Sequence, residues 1–301
     1  MIAGNNKYHG GNIIRNKSFW MLSISVVALC WTIVVGKHVN ETVIDMTHNL
    51  SVTSPLWGGL PEFKFNIIVR GRMPGGFWLE GNTFETPDHA GTHLDAPSHY
   101  VEGAWRTQEI PVEKLVGPGV IINVTDKVLS DPDYRVVTSD IHEWEKKYGR
   151  IPENAIVIMN SGWQYKFPDR NAVFNTEDPD NRSSYHFPGW HEDAVAWLIE
   201  NRDINILGVD TPSIDYGQSF KHLVHIILGQ NEIPAAENVA NLDNVPESGC
   251  TVYVGVIKLY DGSAGPARIF AINSGAEYGA RAFLFTTLAF VFFLLLMICV
   301  G

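Results

Sequence analysis

The segment from His89 to His99, H-A-G-T-H-L-D-A-P-S-H, holds the residues best suited to chemistry in this sequence. It places three imidazoles and one carboxylate within eleven residues, and both groups are ligands of divalent metals such as zinc and manganese. In an extended strand His93, Asp95 and His99 would share one face. Gly91 permits a turn that brings His89 to the same point. We therefore predict a metal site rather than a chance cluster of surface histidines.

A helical interpretation of this segment accounts for fewer of its polar residues. His89 and His93 would align one turn apart, but Asp95 would leave that face and Pro97 would disrupt the preceding turn. The extended interpretation uses all four polar side chains, so it is the one we adopt.

The elements that must position this segment have the pattern of an α/β domain. Alternation and β-branched runs predict strands near residues 63–69, 120–124, 155–160, 204–209 and 251–259. A helix is predicted over Asp140–Tyr148, capped by Ser139 and ended by Gly149, and another over Glu192–Glu200. The second helix leads directly into a buried strand, which is typical of α/β folds. Ligand sites in such folds lie beyond the carboxyl ends of the strands.

The motif H-x-G-T-H-x-D-x-P-x-H resembles the signature of the cyclase-like metal-dependent hydrolases, which include bacterial-type kynurenine formamidase and isatin hydrolase. Four later segments also resemble that family: Ile158-Met159-Asn160-Ser161-Gly162-Trp163, Gly208-Val209-Asp210-Thr211-Pro212-Ser213-Ile214-Asp215, His225 with Glu237-Asn238, and Gly265-Pro266-Ala267-Arg268. The five segments follow the family's order, from about Ile44 to Ile272. The resemblance implies a single α/β domain of the swivelling β/β/α type over residues 44–272.

The resemblance also implies the roles of individual residues. The implied metal ligands are His89, His93, Asp95, His225 and Glu237. Asp95 would bridge a first metal to a second, and His99 would be the general acid/base rather than a ligand. The cofactor would be zinc or manganese, at one or two ions per chain. On the residues alone, His225 and Glu237 would be interpreted as structural, and His222 competes with His225.

The activity implied is metal-dependent hydrolysis of an amide bond in a small aromatic substrate. The leading substrate is N-formyl-L-kynurenine, an intermediate of tryptophan catabolism, which would give L-kynurenine and formate. A metal lowers the pKa of bound water from ~15.7 to about 7, and an imidazole can shuttle the proton to the leaving nitrogen. The alternatives are a cyclic amide such as isatin as substrate, or a non-catalytic cell-surface binding protein on the same fold.

Aromatic side chains are candidates for the substrate pocket. Trp163 is the leading candidate because it follows a Ser-Gly turn after a strand. The others are Phe63, Phe77, Trp78, Trp105 and Tyr216. Asp210 and Asp215 are expected to order their loop by backbone hydrogen bonds. The polar stretch Gln164–Ser184 is predicted to be a long surface loop, either a lid or a passive insertion.

Several other functional classes are excluded by composition and motifs. A net charge of -11 and a pI near 5.4 argue against a nucleic-acid partner. The chain has no G-x-S-x-G elbow of an α/β-hydrolase and no H-E-x-x-H zinc motif. The remaining partners are a small-molecule substrate and, by resemblance to relatives that form dimers, a second copy of the chain.

The two ends of the sequence predict a membrane-associated protein of the secretory pathway, at the cell surface or outside. Basic residues precede the apolar run Phe19–Gly36, so residues 1–36 are predicted to be a signal peptide or signal anchor. Small residues before the apolar run Ala282–Val300 predict that residues 273–301 are a GPI-attachment signal or C-terminal anchor. Glycosylation sequons begin at Asn40, Asn49, Asn123 and Asn181. Between the ends only Cys250 remains, so no internal disulfide can form.

Overall fold

The structure, a computed structural model, describes residues 41–273. The predicted signal segment and the apolar run predicted as a carboxyl-terminal anchor lie outside these residues. Among residues 41–273 no helix is both long enough and apolar enough to cross a bilayer.

The described residues form twelve strands and five α-helices, joined by short 3₁₀ turns. The strands are β1 (Thr42–Asp45), β2 (Lys64–Arg72), β3 (Trp78–Glu85), β4 (His93–Asp95), β5 (Val116–Asn123), β6 (Arg135–Val136), β7 (Ala155–Asn160), β8 (Gly189–Trp190), β9 (Ile204–Val209), β10 (Ala235–Glu237), β11 (Cys250–Val256) and β12 (Ala264–Asn273). The helices are α1 (Thr125–Val128), α2 (Thr138–Tyr148), α3 (Arg170–Phe174), α4 (Glu192–Asn201) and α5 (Leu223–Gln230).

Seven of these strands close into a barrel in the order β12-β11-β5-β7-β9-β10-β4, with β4 pairing back onto β12. The pairs from β5 through β10 are parallel, and the remaining pairs are antiparallel. The α/β prediction is thus confirmed in its coarse form, as a mixed α/β single domain. The finer assignment to the swivelling β/β/α type stays a prediction.

Alternation along the parallel strands divides the core into two layers. In β7, Val157 and Met159 pack outward against the helices, whereas Ile156 and Ile158 fill the barrel. Every residue of β7 and β9 is buried, because a parallel strand covered on both faces needs apolar side chains on both. These strands therefore form the rigid frame from which the site residues extend.

Helix α2 begins one residue before its predicted cap, so the prediction for Ser139 was wrong. The carboxylate of Asp140 accepts a hydrogen bond from the Val137 backbone N–H at 2.8 Å. A carboxylate, and not the expected serine hydroxyl, therefore binds a free backbone N–H group at the start of this helix. Gly149, with φ of 90°, ends the helix as predicted. Cys250 is buried with a free thiol.

Candidate metal centre

Strand β4 holds two of the predicted ligands between two neighbouring strands. Glu237 of β10 lies directly opposite His93, and Pro266 of β12 flanks it on the other side. Directly opposed residues of an antiparallel pair face the same way, so His93 Nε2 lies 3.4 Å from Glu237 Oε2. Asp95, two residues along the same face, places Oδ1 3.2 Å from His93 Nε2. Three predicted ligands are thus brought together by the register of the sheet.

A turn at Gly91 brings His89 to the same point, as its spacing predicted. Gly91 has φ of 62°, in the left-handed region that favours glycine. His89 Nδ1 lies 2.7 Å from Asp95 Oδ1, without the geometry of a hydrogen bond. The ring nitrogen of His89 and the carboxylate oxygen of Asp95 therefore lie next to each other, and each has a lone pair that a metal ion could accept.

The segment beyond Asp95 is not extended, which corrects part of the strand interpretation. Residues Pro97–His99 form a 3₁₀ turn, because proline at the start of such a turn has no N–H to satisfy and a fixed φ. The turn still returns His99 to the site, where its ring centroid lies 3.9 Å from that of His89. Gly229 of α5 permits this, since a Cβ there would meet the Pro97 carbonyl oxygen at 2.7 Å.

Helix α5 supplies His225, and Asp215 orients it. The His225 Nδ1–H donates to Asp215 Oδ2 at 2.6 Å, and Asp215 also accepts from the backbone N–H groups of Val224 and His225. His225 Nε2 then lies 3.4 Å from Asp95 Oδ2 and 3.3 Å from Glu237 Oε1. Asp215 orders its loop as predicted, and it also fixes the tautomer of the imidazole.

Three imidazoles share one pattern, with an N–H committed outward and a lone pair directed inward. His93 Nδ1–H donates to the Gly91 carbonyl oxygen at 2.9 Å, in the way that Asp215 holds His225. Ser263 Oγ–H donates to Asp88 at 2.8 Å, so Ser263 Oγ accepts from His89 Nε2–H at 3.2 Å. Such outer hydrogen bonds are typical of metal-ligating histidines, because they fix the tautomer and raise basicity.

The inward atoms fit a divalent cation. His93 Nε2 and both carboxylate oxygens of Asp95 are buried without a hydrogen-bond partner, and each such atom costs about 1–3 kcal/mol if nothing compensates it. Metal–ligand bonds of about 2.0–2.2 Å at tetrahedral to octahedral angles separate neighbouring ligand atoms by roughly 3.0–3.5 Å. The separations of 3.2–3.4 Å around His93 and His225 fall in that range.

The carboxylates of Asp95 and Glu237 favour a positive charge among the inward-facing ligand atoms. Burial opposes protonation, but Asp95 and Glu237 raise the pKa of His93 to about 10. Burial is likewise outweighed at His225, where Asp215, Asp95 and Glu237 raise the pKa well above its usual value. Burial would raise the pKa of Asp95, but His89 and His99 hold it well below its usual range. The two carboxylates therefore attract either protons on the imidazoles or a bound cation.

His99 differs from the three inward-facing histidines. Burial lowers its pKa to about 4, with His89 and His225 acting in the same direction. Within residues 41–273 its ring has no orienting hydrogen bond, and it lines a cavity of about 300 Å³ beside the centre. The position suits a neutral imidazole that exchanges protons with a bound molecule rather than a fixed ligand.

Trp163 lies in the core, which corrects its predicted place in the pocket. Asp210 accepts hydrogen bonds from the backbone N–H groups of Ser161 and Trp163, and this tight loop turns the indole inward. There its Nε1–H donates to the Val173 carbonyl oxygen at 2.8 Å, and only 4% of the residue is exposed. Burial raises the pKa of Asp210 to about 6, but Asp210 does not line the cavity.

The aromatic lining of the cavity comes from other residues. They are Trp57, Tyr100, Tyr216 and Phe220. Of these, only Tyr216 was among the sequence candidates. Trp57 and Tyr185 pack together with ring centroids 5.2 Å apart, and Arg182 donates to the Gly58 carbonyl oxygen at 2.7 Å. The polar stretch 164–184 is thus packed against residues 57–58 and contributes a wall of the cavity.

His222 lies beside the centre but does not replace His225. Its ring centroid is 6.1 Å from that of His225, and one ligand atom each of Asp215, His222 and His225 lie within 4.8 Å of one another. Because Asp215 already accepts a hydrogen bond from His225, its carboxylate is committed to orienting that residue, which belongs to the first centre. His222 instead lines the cavity.

The chain is similar to known hydrolases over most of its length. Isatin hydrolase of Roseibium aggregatum is 25% identical over 245 residues, which are 76% of this chain and 91% of that protein. Kynurenine formamidase of Bacillus anthracis is 25% identical over 235 residues, 75% of this chain and 94% of that protein. Among solved structures, isatin hydrolase A from Ralstonia solanacearum superposes with a TM-score of 0.71 at 28% identity, covering 82% of this chain and 96% of that one.

The Cyclase family model, described as "Putative cyclase", matches residues 44–216. This range contains the whole histidine-rich segment and ends at Tyr216, before His225 and Glu237. Since it spans more than half of the sequence, the chain belongs to the cyclase family.

Proposed function

We propose that this protein is a metal-dependent hydrolase that cleaves the amide bond of a small aromatic substrate, with N-formyl-L-kynurenine as the leading candidate. The observation that carries the proposal is the shared pattern of His89, His93 and His225. Each has one ring N–H committed to an outer acceptor, and the free atoms converge on the buried, unpaired oxygens of Asp95. This is the environment of a metal centre rather than of a structural hydrogen-bond network.

The residues that would hold a divalent cation are His89, His93, Asp95, His225 and Glu237. Zinc and manganese both suit imidazole and carboxylate donors, at one or two ions per chain. Bound there, such an ion supplies a Lewis acid that polarises a carbonyl and lowers the pKa of water to about 7.

His99 would move the proton. Its imidazole is neutral near pH 7 because burial lowers its pKa to about 4, so one ring nitrogen can accept a proton from the attacking water. The same nitrogen can then protonate the leaving aryl amine, releasing formate and L-kynurenine from N-formyl-L-kynurenine. General acid–base catalysis of this kind contributes about 10²–10⁴-fold to the rate.

The test is hydrolysis of N-formyl-L-kynurenine by the purified full chain with added zinc or manganese. We expect His99→Ala to lower kcat by about 10²–10⁴-fold with little change in bound metal. His142→Ala, at an exposed position of α2, is the matched control and should leave kcat unchanged. Equal rates for wild type and His99→Ala would refute the assigned role of His99.

Arg182 favours a substrate that carries a carboxylate over one that does not. Its Nε–H and an Nη2–H both donate to the Gly58 carbonyl oxygen, at 3.2 and 2.7 Å, which fixes the guanidinium at the cavity wall. Within residues 41–273 no carboxylate forms an ion pair with it. A fixed, uncompensated guanidinium suits a carboxylate, which N-formyl-L-kynurenine carries and isatin does not.

A pair of substrates tests this preference. Arg182→Gln should raise KM for N-formyl-L-kynurenine by roughly 10-fold or more, as expected for a lost charged hydrogen bond, and leave KM for uncharged formanilide unchanged. Arg150→Gln, at an exposed arginine just after α2, should change neither value. Equal shifts for both substrates would assign Arg182 a purely structural role.

Two other functions make different predictions. A hydrolase of cyclic amides would open isatin faster than it cleaves N-formyl-L-kynurenine, and the R. aggregatum and R. solanacearum relatives with that activity make isatin the necessary comparison. A non-catalytic binding protein would turn over neither substrate even with about one or two ions bound per chain. Metal analysis together with both assays separates the three.

We also propose that the protein is a membrane-associated glycoprotein of the secretory pathway, held by its apolar termini. The support lies in the sequence and in exposure of the sequon asparagines Asn49, Asn123 and Asn181. Asn123 lies at the exposed end of β5 and accepts a hydrogen bond from the Thr125 hydroxyl at 2.8 Å. A glycosidase-sensitive mass and release from cells by phosphatidylinositol-specific phospholipase would test the glycan and the GPI anchor.

A further inference from the structure

Ser213 is a buried polar residue that lines the cavity beside the metal centre and has no role in the reaction described so far. The cavity has a volume of about 300 Å³, and only 5% of Ser213 is exposed. Within residues 41–273 the hydroxyl of Ser213 has no hydrogen-bond partner. Most buried polar side chains are hydrogen-bonded, so this hydroxyl is available to a molecule that enters the cavity.

The backbone around Ser213 is fixed on both sides. Thr211 Oγ1–H donates to the Ser213 carbonyl oxygen at 2.9 Å, and the Ile214 N–H donates to Glu237 Oε1 at 2.8 Å. The Ile214 carbonyl oxygen in turn accepts from the Trp190 N–H at 3.0 Å. A donor held in this way needs little reorganisation when charge develops next to it.

The same contacts place the Ser213 hydroxyl at the metal-centre end of the cavity. Covalent geometry keeps Ser213 Oγ within about 5 Å of the Ile214 nitrogen. Because that nitrogen donates to Glu237 Oε1, the hydroxyl lies within roughly 8 Å of this carboxylate oxygen. Glu237 Oε1 itself is 3.3 Å from His225 Nε2. If an amide is bound among the ligand atoms, its neighbouring substituents therefore lie within reach of Ser213.

The two candidate substrates share a group that suits this position. N-formyl-L-kynurenine and isatin both carry a carbonyl group on the ring carbon next to the one that bears the amide nitrogen, which we call the ortho carbonyl. Its oxygen lies roughly 2.5–4 Å from the carbon of the amide carbonyl, since the bonds between them are about 1.2–1.5 Å long. A hydroxyl can donate a hydrogen bond to such an oxygen at about 2.7–2.8 Å.

The ortho carbonyl also takes part in the chemistry of amide cleavage. After water has attacked the amide carbonyl, the C–N bond breaks and its electron pair passes to the nitrogen. The nitrogen is conjugated through the ring with the ortho carbonyl oxygen, so negative charge grows on that oxygen as the aryl amine leaves. His99 then gives the nitrogen the proton that it took from the water. A hydrogen bond to the oxygen is therefore stronger in the transition state than in the bound substrate, which is the condition for catalysis.

We propose that Ser213 is a further catalytic residue, whose hydroxyl donates a hydrogen bond to the ortho carbonyl oxygen of the substrate. The proposal rests on the proposed amide hydrolysis and narrows its substrate class to aryl amides with an ortho carbonyl. The hydroxyl stabilises the leaving amine, whereas His99 supplies its proton. Because the contact depends on the position of the carbonyl group, it applies to formamides and to cyclic amides alike.

Two isomeric substrates test the proposal with the purified full chain and added zinc or manganese. 2-Formamidoacetophenone has the ketone in the ortho position. 4-Formamidoacetophenone has it in the para position, where it activates the leaving amine by the same conjugation but lies away from the hydroxyl. Ser213→Ala should lower kcat/KM for the ortho isomer by about 10- to 100-fold, as expected for a hydrogen bond to a group that gains charge. It should leave kcat/KM for the para isomer unchanged.

The controls separate this contact from a structural role. Ser130→Ala, at an exposed position just after α1, should change neither value. Loss of metal or of folding in Ser213→Ala would lower the rate for both isomers equally, and elemental analysis and thermal unfolding would detect it. Equal losses for the two isomers, or no loss for the ortho isomer, would overturn the proposal.

Binding of the amine products tests Ser213 even if the wild type hydrolyses neither isomer, a result that would count against the proposed hydrolysis. By calorimetry, Ser213→Ala should weaken the binding of 2-aminoacetophenone about 5-fold, as for the loss of one hydrogen bond. The Kd for 4-aminoacetophenone should not change. An unchanged Kd for 2-aminoacetophenone, or no binding of it by the wild type, would refute the contact with Ser213.

Discussion

The metal centre and the hairpin of strands β2 and β3, the arm (Lys64–Glu85), are opposite in character. In the centre, polar atoms of His93 and Asp95 are buried without hydrogen bonds. In the arm, apolar side chains such as Ile68 and Trp78 are exposed without a cover. Both arrangements oppose folding of the chain alone. The difference teaches that the two regions depart from ordinary burial in opposite ways: the centre buries polar atoms that suit a cation, and the arm exposes apolar side chains to water.

Removal of the carboxylate that lies among the three inward-facing histidines should have the largest effect. Asp95→Asn places an amide among His89, His93 and His225, so the site loses the anion that attracts a cation. We expect kcat/KM to fall by at least about 10³-fold, with loss of bound metal by elemental analysis. Asp126→Asn, an exposed aspartate of α1, is the control. Full metal content in Asp95→Asn would contradict the assigned ligand set.

The barrel interior and the arm should respond differently to truncation of the same side chain. Ile158 is fully buried in the barrel, so Ile158→Ala should lower the free energy of unfolding by about 2–5 kcal/mol. Ile68→Ala, in the arm, should change it by less than about 0.5 kcal/mol at a concentration that keeps the protein monomeric. Denaturant titration measures both. A large effect of Ile68→Ala in the monomer would show that the arm packs within its own chain.

Loss of the outer partner of a ligand should have an intermediate effect. Asp215→Asn keeps the shape of the side chain but weakens its hold on His225 Nδ1–H, so metal affinity should fall about 10–100-fold. Metal titration followed by fluorescence measures this, and excess metal should restore kcat. Asp243→Asn, which loses a contact with the Tyr165 hydroxyl, should leave metal affinity unchanged. Failure of metal to restore kcat would argue against a positioning role for Asp215.

The smallest effect concerns His48, a half-buried residue outside the proposed ligand set. Burial lowers the pKa of His48 from 6.5 to about 4, and its ring stacks on Phe167 at 4.1 Å. As pH falls from 6.5 to about 4, the unfolded chain binds a proton that the folded chain does not, so stability declines over that window. His48→Phe should reduce this decline without changing stability at pH 8. Parallel urea titrations at the two ends of the window measure the difference, and identical pH dependence would show that His48 makes no contribution.

Local features of the fold could be predicted from the sequence, whereas features that depend on a distant partner could not. Runs such as Ala155–Asn160 are strands as predicted, because their apolar residues are buried on both faces. The left-handed turn at Gly91 also followed from a single residue type. In contrast, the sequence could not show that Asp210 turns the Trp163 indole into the core, since that depends on a loop 47 residues away. The apolar pattern near residues 63–69 predicted a strand, but not that it lies on the surface.

The site residues show the same division. The segment His89–His99 was recognisable because its ligands lie close in sequence. His225 and Glu237 needed a resemblance, since a histidine and a glutamate at this spacing carry no signal of their own. Arg182 and Trp57 gave no sequence signal at all, because their place in the cavity depends on packing between residues 57–58 and the stretch 164–184.

The pairing of β4 has a consequence for biosynthesis. Its hydrogen-bonding neighbours are β10 and β12, and β12 starts at Ala264. A ribosome must therefore translate nearly the whole domain before the strand that carries His93 and Asp95 can pair with both of its neighbours. Until then, β4 lacks one of its two neighbouring strands. A polypeptide truncated before Ala264 would contain the whole segment His89–His99 but would lack β12, which pairs with one edge of β4.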